Sequence, residues 1–224
     1  MPCLYPCFRP TVLGVLLGLG AGCSLVMDAD FDKYEARGSA GASGAGGAAG
    51  AAAQAGAGGT GGCEPILIIN EIQTAGSGGP DDEFVEILNA SDCTALLDAY
   101  VLAYRSSSAT TDHGVSWSGA PGQRLEGWHL FVLAGVGFPE PAGAIFPNGM
   151  ALGANGGGLA IRKDDAILDQ VGWGDADNGF VDVAVAPAPA QGEAIGRVPD
   201  GKDTDDNATD FVIVVPTPGL ANTL

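Results

Sequence analysis

Two histidines and two nearby serines are the residues whose types could support hydrolytic catalysis in this chain. His113 precedes Ser116 and Ser118, which lie in a strand-like run at residues 114–119. Alternation along a strand puts both serines on one face, without the sharp strand-to-helix turn that exposes a serine nucleophile. His129 stands among apolar residues, in a context typical of a half-buried strand. No His/Cys spacing typical of zinc occurs, so the sequence predicts a non-enzyme, with a metal-dependent hydrolase as the less favoured alternative.

An acidic loop near the C-terminus is the best candidate for a metal site. Calcium takes roughly six to eight oxygen ligands, and residues 200–210 are rich in side-chain oxygens. Asp203, Asp205 and Asn207 match the first three ligands of an EF-hand loop, but its glycine and bidentate glutamate are absent. An EF-hand is therefore excluded, and a solvated acidic turn is the favoured interpretation. No cofactor is predicted, with calcium as the open alternative at Asp200, Asp203, Asp205, Asn207 and Asp210.

The charge balance excludes one class of partner. The chain carries 27 Asp and Glu against 9 Lys and Arg, a formal net charge of −18. Binding to nucleic acid needs clustered Lys and Arg that displace the counterions of the phosphates, and the sequence has no such cluster. Basic side chains are equally too few for docking on an anionic lipid surface. Nucleic acid is therefore excluded as a partner, and any membrane attachment must come from another device.

The N-terminus has the pattern of an export signal. Residues 11–22 form an apolar run after Arg9, too short to cross a bilayer as a helix, which takes about 20 residues. Small residues then precede Cys23 and resemble the lipobox of bacterial lipoproteins, although that motif prefers leucine where Gly20 stands. The sequence predicts a signal peptide at residues 1–22 and acylation of Cys23, with ordinary signal cleavage as the alternative.

Residues 23–62 are predicted to be a disordered tether. Within them, residues 38–62 contain 11 Gly and 10 Ala among 25 residues, so nothing there can anchor a core. A flexible segment of this length reaches roughly 30–40 Å, which holds a domain clear of a membrane surface. Ser24 rather than aspartate follows the cysteine and favours the outer membrane. The chain is expected to be exported and lipid-anchored to the cell envelope.

Residues 63–224 are predicted to form one all-β domain. Short runs rich in β-branched and aromatic residues alternate with Gly, Pro, Asn and Asp, and no long helical period occurs. Glu71, Glu83 and Glu86 are expected on solvated strand faces, and Asn70 and Asn89 at strand ends, where they bond turn backbone. Strands are predicted at residues 66–72, 83–89, 99–105, 115–118, 128–134, 158–163, 166–173, 194–198 and 211–215.

The two cysteines of this domain are expected to pair. Export to an oxidising compartment favours a disulfide between Cys63 and Cys93. If the first two predicted strands form an antiparallel hairpin, a register that places Ile72 opposite Phe84 also places the two cysteines opposite each other. The alternative is a pair of unrelated thiols.

Several motifs resemble, in their order along the chain, the lamin tail domain family. The resemblance covers nearly everything after Gly62 and implies an immunoglobulin-like β-sandwich without catalytic residues. Tyr100 stands where the family often has Gly-Trp, and the lamins' coiled-coil rod is absent, so no nuclear or filament role carries over. The motifs are INEI at 69–72, EFVEILN at 83–89, LEGWHLFVLA at 125–134, AILDQVGWG at 166–174, RVPDGKDTD at 197–205 and TPGLAN at 217–222.

Together these patterns favour a membrane-anchored, surface-displayed and non-catalytic binding or structural module of the bacterial cell envelope. Its expected partner is an unidentified envelope or extracellular protein or glycan. A calcium-stiffened adhesion module is the first alternative, and it predicts metal-dependent stability. A metal-dependent hydrolase is the second, and it predicts a concave pocket with converging polar groups.

Overall fold

The computed structural model describes residues 62–113, 117–147 and 151–224 as an all-β sandwich, which confirms the predicted fold class. Within these residues the helical elements are one short α-helix, α1 (Asn207–Asp210), and two 3-10 turns. The predicted signal peptide, Cys23, Ser116 and all but the last residue of the predicted tether lie outside the described residues. The strands are β1 (Leu67–Gln73), β2 (Phe84–Asn89), β3 (Ala95–Leu96), β4 (Tyr100–Ser106), β5 (Trp117–Ser118), β6 (Arg124–Leu125), β7 (Leu130–Ala134), β8 (Ala144–Ile145), β9 (Gly156–Lys163), β10 (Ala166–Gly174), β11 (Ala194–Arg197) and β12 (Phe211–Val214).

Two main sheets form the sandwich. The six-stranded sheet has the order β12-β11-β1-β2-β7-β8, and the four-stranded sheet has the order β10-β9-β4-β5. A small ribbon of β3 and β6 stands apart from both. Neighbouring strands are antiparallel except for β7 and β8. Among the described residues, no helix has the length and apolar character needed to cross a membrane.

The core lies between the two main sheets, where alternate side chains of each strand point inwards. β1, β2 and β7 differ from ordinary half-buried strands because every one of their residues is buried, on both faces. Their outer faces must therefore be covered as well. The core side chains include Ile69, Ile72, Val85, Ile87, Tyr100, Leu102, Tyr104, Leu133, Leu159, Ile161, Val171, Trp173 and Ile195.

Each main sheet is covered on its outside by a segment that crosses it. Residues 215–222, the C-terminal segment, lie over β1 and β2, where the Gly219 N–H donates to Glu86. Residues 175–183 lie over β9 and β10. A Cβ at Gly158 or Gly172 would collide with Phe180 or Val181 respectively, so glycine is needed at both positions for this close approach.

The predicted register between β1 and β2 is right at one end of the hairpin and wrong at the other. Leu67 pairs with Asn89 and Ile69 with Ile87, in the register that was expected. A β-bulge at Asn70 then shifts the pairing by one residue, so Ile72 lies opposite Val85 and not opposite Phe84. The cysteines lie beyond the unshifted end of the hairpin.

The predicted disulfide between Cys63 and Cys93 is present, with the two Cα atoms 5.5 Å apart. It closes just before β1 begins and just after β2 ends. The bridge therefore attaches the start of the domain to the loop that follows β2. It stands where the predicted tether meets the domain.

Candidate functional site

The three glutamates that were expected on solvated strand faces are buried, so that expectation was wrong. Glu71 and Glu86 are 0% exposed and Glu83 is 2% exposed. Glu86 points away from the core between Val85 and Ile87, as strand alternation predicts, and the bulge at Asn70 turns Glu71 to the same side. The C-terminal segment covers this outer face, and Glu83 is covered by Leu152, whose N–H donates to its Oε2 over 2.7 Å.

Glu71 and Glu86 hold the C-terminal segment on the sheet. They are register partners on β1 and β2. Glu71 Oε1 accepts the Thr217 N–H at 3.0 Å, and its Oε2 lies 3.3 Å from the Thr217 hydroxyl. Glu86 Oε2 accepts the Gly219 N–H at 2.6 Å, and its Oε1 accepts the Asn70 amide at 3.0 Å. Each carboxylate thus replaces the hydrogen bonds that water would make with this segment.

Asn70 and Asn222 extend the same cluster. Asn222 Nδ2 donates to the carbonyls of Asn70 and Arg197, both at 3.1 Å, and its N–H donates to Asp200 at 3.0 Å. The Asn70 side chain accepts the Gly201 N–H at 3.2 Å. Asn70 therefore lies in a mid-strand bulge rather than at a strand end. Residues from four of the motifs that resemble the lamin tail family are therefore joined in this cluster, namely INEI, EFVEILN, RVPDG and TPGLAN.

Burial raises the pKa of both carboxyl groups in this pair. The pKa of Glu71 rises to about 8, mainly because the group is desolvated. The pKa of Glu86 is raised by burial first and then by the neighbouring Glu71 charge. Each Glu86 oxygen accepts a hydrogen bond from an N–H group. One Glu71 oxygen instead lies next to the Thr217 hydroxyl, and a hydroxyl can accept a hydrogen bond from a protonated carboxyl group. A protonated Glu71 can therefore donate to the Thr217 hydroxyl, whose own proton goes to Asn222 Oδ1 at 3.1 Å.

The domain is expected to be more stable near pH 5 than near pH 8. Glu71 and Glu83, each with a pKa of about 8, hold protons that the unfolded chain releases above its ordinary glutamate pKa. Their stabilising effect is complete below about pH 4.5 and is lost as the pH rises through 8. We expect each of the two groups to contribute a loss of about 3–4 kcal/mol between pH 5 and pH 8 in urea unfolding.

The matched control for this pH dependence is Glu71→Gln. A glutamine can accept the Thr217 N–H and donate to the Thr217 hydroxyl, so it replaces the protonated acid without titrating. Its stability should vary less with pH than that of the wild type. A wild-type domain whose stability rises from pH 5 to pH 8 would contradict the burial of protonated glutamates.

The predicted calcium residues do not share a common centre. Asp203 and Asp210 each lie 3.2 Å from the guanidinium of Arg197. Asp200 accepts from Asn222, as described above, and Asp205 is exposed with a left-handed φ of 57°. Among the described residues, no group of three or more His, Cys, Asp or Glu side chains is arranged to hold a metal ion. The sequence pattern suggested calcium ligands because it counted the side-chain oxygens of residues 200–210 without Arg197, which pairs with two of the aspartates.

Asn207, the fifth predicted ligand, fastens α1 to the edge of β10. Its Oδ1 accepts the N–H groups of Gly172 and Asp182, both at 2.9 Å, and its Nδ2 donates to the Gln170 carbonyl at 3.0 Å. All hydrogen-bonding atoms of the amide are thereby used by protein backbone. The side chain completes the ladder of an edge strand and has no free oxygen aimed at a cation.

The described residues among those considered for hydrolysis, namely His113, Ser118 and His129, each contact other parts of the domain. The His113 ring packs against Tyr104, with ring centroids 5.8 Å apart. His129 Nδ1 lies 2.8 Å from the Gly127 carbonyl. Ser118 lies on β5, opposite Val101 of β4. None of these contacts links a described serine to a histidine.

A rigid turn lies at the end of the sandwich that carries the disulfide. Asn89, the last residue of β2, is its centre. Its Nδ2 donates to the carbonyls of Cys93 at 2.6 Å, Leu125 at 3.1 Å and Glu126 at 3.1 Å. Its own carbonyl accepts the Trp128 N–H at 2.8 Å. The expectation that Asn89 bonds turn backbone at a strand end is confirmed, and through these bonds it positions two loops at once.

Trp128 projects from this turn in an unusual backbone conformation. Its φ is 59°, in the left-handed region that favours glycine, and its side chain is 46% exposed. For a bulky residue this conformation costs roughly 1–2 kcal/mol. The preceding Gly127 cannot carry a side chain, because a Cβ there would collide with the Ser91 carbonyl. Residue types did not single out Trp128, and the available signal was the Gly-Trp pair just before the apolar run at residues 130–134.

Two acidic residues accompany the exposed indole. Asp92 Oδ1 accepts the Trp128 Nε1–H at 2.8 Å. Glu126, which begins the turn, accepts a hydrogen bond from the Thr94 hydroxyl. Strained backbone and exposed aromatic side chains are often found at binding sites. The Trp128 turn, residues 126–129, is therefore the candidate functional site.

Comparisons with known proteins give a likeness of fold at low similarity. No family model matches the sequence, and no curated protein matches it. A solved structure of a DUF4876 family protein from Bacteroides thetaiotaomicron VPI-5482 is similar with a TM-score of 0.46 and 15% sequence identity. The likeness covers 69% of this chain and 72% of that chain. At this level it carries no argument about fold or activity, and the resemblance to lamin tail domains rests on the sequence motifs alone.

Proposed function

We propose that this chain is an exported, lipid-anchored protein of the bacterial cell envelope whose lamin-tail-like domain is a non-catalytic binding module displayed at the surface. The observation that carries the proposal is a contrast between two groups of side chains. The carboxyl groups with raised pKa lie under covering segments, as Glu71 does under Thr217. Trp128, in contrast, is exposed on a turn that Asn89 and the disulfide hold in place.

The burial of these carboxyl groups supports a non-catalytic role. A general acid or base must reach its substrate within hydrogen-bond distance. Glu71, Glu83 and Glu86 already bond the backbone of crossing segments, so a substrate would first have to displace those segments. Their shifted pKa values are explained by this structural use, which is a common cause of such shifts.

The position of the disulfide supports display on a tether. Cys63 begins the domain directly after the Gly/Ala-rich segment and is bridged to Cys93. Cys93 follows Asp92, whose carboxylate holds the indole of Trp128. The tether therefore joins the domain at the same end as the candidate site. Calcium is not part of the proposal, since Arg197 already balances Asp203 and Asp210.

The proposed anchor predicts acylation of Cys23. Metabolic labelling with a palmitate analogue should mark the wild-type chain, because the cysteine stands where the apolar signal ends. Cys23→Ala should lose the label and leave the membrane fraction. The domain cysteines serve as an internal control, since they form a disulfide and offer no thiol. Equal labelling of both chains would overturn the lipid anchor.

The proposed binding role predicts that capture of an envelope component depends on Trp128. The chain with Cys23→Ala would be immobilised and exposed to a cell-envelope extract, and the bound protein and glycan would be identified. Trp128→Gly should lose the captured component, whereas Val136→Ala, which trims another exposed side chain (70% exposed), should retain it. If wild type and Trp128→Gly retain the same components, the binding surface lies elsewhere and this proposal fails.

A further inference from the structure

Trp128 is distinguished from the other two tryptophans of the chain by its accessibility. Trp117 is 7% exposed and Trp173 is 0% exposed, and both belong to the core. Trp128 is nearly half exposed although an indole gains much from burial. Trp128 itself has a left-handed φ, a conformation that glycine would adopt without steric cost. An exposed and conformationally expensive tryptophan suits a residue that contacts a ligand.

The surroundings of the indole are acidic. The Nε1–H of Trp128 donates to the Asp92 carboxylate, and the residue remains 46% exposed. Glu126 stands in the same turn, two residues before the tryptophan. A tryptophan face attracts cations more strongly than other aromatic rings do, and nearby carboxylates add to this attraction.

Other aromatic rings of this protein already have a cation above them. Arg105 stacks on Phe180 with its Cζ 4.1 Å from the ring centroid, and Arg197 stacks on Phe211 at 4.5 Å. Lys163 lies 5.7 Å above Tyr100. Within the described ranges, no lysine or arginine is found over the ring of Trp128. Because a tryptophan ring attracts cations more strongly than the other aromatic rings, the exposed Trp128 suits a cation supplied by a ligand.

The net charge of the whole chain favours the same kind of ligand. With a net charge of −18, the protein attracts cations over distances longer than a contact and repels anions. A neutral apolar partner would need a contiguous apolar surface around the indole. The indole instead bonds a carboxylate, that of Asp92, and Glu126 lies two residues before it in the same turn.

We propose that the Trp128 turn binds a positively charged ammonium or guanidinium group, with the cation over the indole and Asp92 and Glu126 completing its charge. This inference rests on the proposed binding function and names the chemistry of its ligand. Two sources share this chemistry: a quaternary ammonium headgroup, and the Lys or Arg side chains of a basic peptide. Both present a cation that an aromatic face and carboxylates recognise.

The test uses choline and its neutral carbon isostere, 3,3-dimethylbutan-1-ol, which have the same shape and differ in charge. Binding to the full chain carrying Cys23→Ala would be followed by ligand-observed NMR at low salt. Choline should bind saturably and about tenfold or more tightly than the alcohol, and the difference should shrink as salt is added. Equal binding of the two compounds, or binding of neither them nor the basic peptides below, would overturn the proposal.

The matched variants distinguish binding at the Trp128 turn from general electrostatic attraction of cations to an acidic protein. Trp128→Gly suits the left-handed backbone and should fold, yet it should lose choline binding. Asp92→Asn with Glu126→Gln should weaken binding, whereas Asp164→Asn with Asp165→Asn, in the turn between β9 and β10, removes the same charge and should leave it unchanged. If both double variants weaken binding equally, the effect is general attraction to an acidic protein and the site is refuted.

Pentalysine and pentaarginine distinguish the two sources of the cation. Tighter binding of either peptide than of choline, lost in Trp128→Gly, identifies a basic peptide as the ligand, and the reverse order identifies a quaternary ammonium group. A negative result with choline and both peptides can be told apart from a failure of the proposed binding function. If envelope capture still depends on Trp128 while none of these cations binds, the module stands and its ligand is of another class.

Discussion

Replacing Arg197 by methionine is expected to lower the free energy of unfolding by about 3–5 kcal/mol. The guanidinium is 1% exposed and lies 3.0 Å from Asp169, 3.2 Å from Asp203 and 3.2 Å from Asp210. The side chains of Asp169 and Asp210 are themselves 3% and 1% exposed. Methionine fills a similar volume without charge, so the variant leaves the buried Asp169 without its ion-pair partner and leaves Asp210 with only the Lys202 ammonium, 3.8 Å away. Removing one partner of a buried ion pair is far more costly than losing an exposed pair.

Arg197 and Asp169 also replace a missing strand partner. β11 pairs with β1 only at Glu71 and Ile72. Before the bulge, the Ile69 N–H donates to Asp169 at 2.6 Å, and the Ile69 carbonyl accepts from Arg197 Nε at 2.9 Å. Because Asp169 lies on β10 of the opposite sheet, this pair joins the two layers of the sandwich. Its loss would leave backbone groups of a fully buried strand with impaired hydrogen bonding.

Urea unfolding at pH 7 measures this effect, with Arg162→Met as the matched control. Arg162 also pairs with an aspartate, Asp112, but the two side chains are 21% and 26% exposed. A partly solvated pair of this kind contributes at most about 1 kcal/mol. Arg197→Lys, which keeps the charge but loses the fork of donors, should fall between the two. Similar losses in Arg197→Met and Arg162→Met would show that the buried network is not the main source of stability.

Reduction of the Cys63–Cys93 disulfide is expected to lower the free energy of unfolding by about 3–4 kcal/mol. The two cysteines are separated by 30 positions in the chain, and opening this loop restores conformational freedom mainly to the unfolded state. The bridge lies next to the Leu67–Asn89 pair, so it also fixes the register at the start of the hairpin. Reduction should therefore lower the free energy of unfolding without a large change in the folded structure.

The measurement is urea unfolding of the Cys23→Ala chain with and without reductant. Cys63→Ala with Cys93→Ala is the control: its stability should match that of the reduced wild type and should not respond to reductant. Trp128 provides a local readout, because Cys93 O accepts from Asn89, which also holds the Trp128 N–H. A wild type whose stability is unchanged by reductant would contradict a stabilising bridge.

Local patterns in the sequence were enough to predict the class of the fold. Most strands lie within a residue or two of their predicted positions, since short β-branched runs between Gly, Pro and Asn are a local property of the chain. The turn between β9 and β10 likewise carries aspartates, a residue type that favours turns, and Asp164 there has a left-handed φ of 55°. The disulfide could be predicted because a hairpin register relates two residues by simple counting, and that count holds up to Ile69.

The bulge at Asn70 shows where such counting ends. Nothing in the residues of β1 alone indicates that one residue will be unpaired. The bulge forms in a strand whose far edge is held by Asp169 and Arg197, and these arrive from positions 100 and 128 residues away. A local pattern cannot report on partners at that separation.

Burial of the charged side chains was likewise decided by tertiary structure. Glu71 and Glu86 occupy the face that strand alternation assigns to solvent, and the prediction failed because a segment about 130–150 residues later covers that face. The acidic loop suggested calcium because its carboxylates were counted without Arg197. The sequence by itself determined which residues form strands and which cysteines pair. Only the tertiary structure decided which carboxyl groups are exposed to solvent and which tryptophan side chain stays exposed, because burial depends on contacts between segments far apart in the chain.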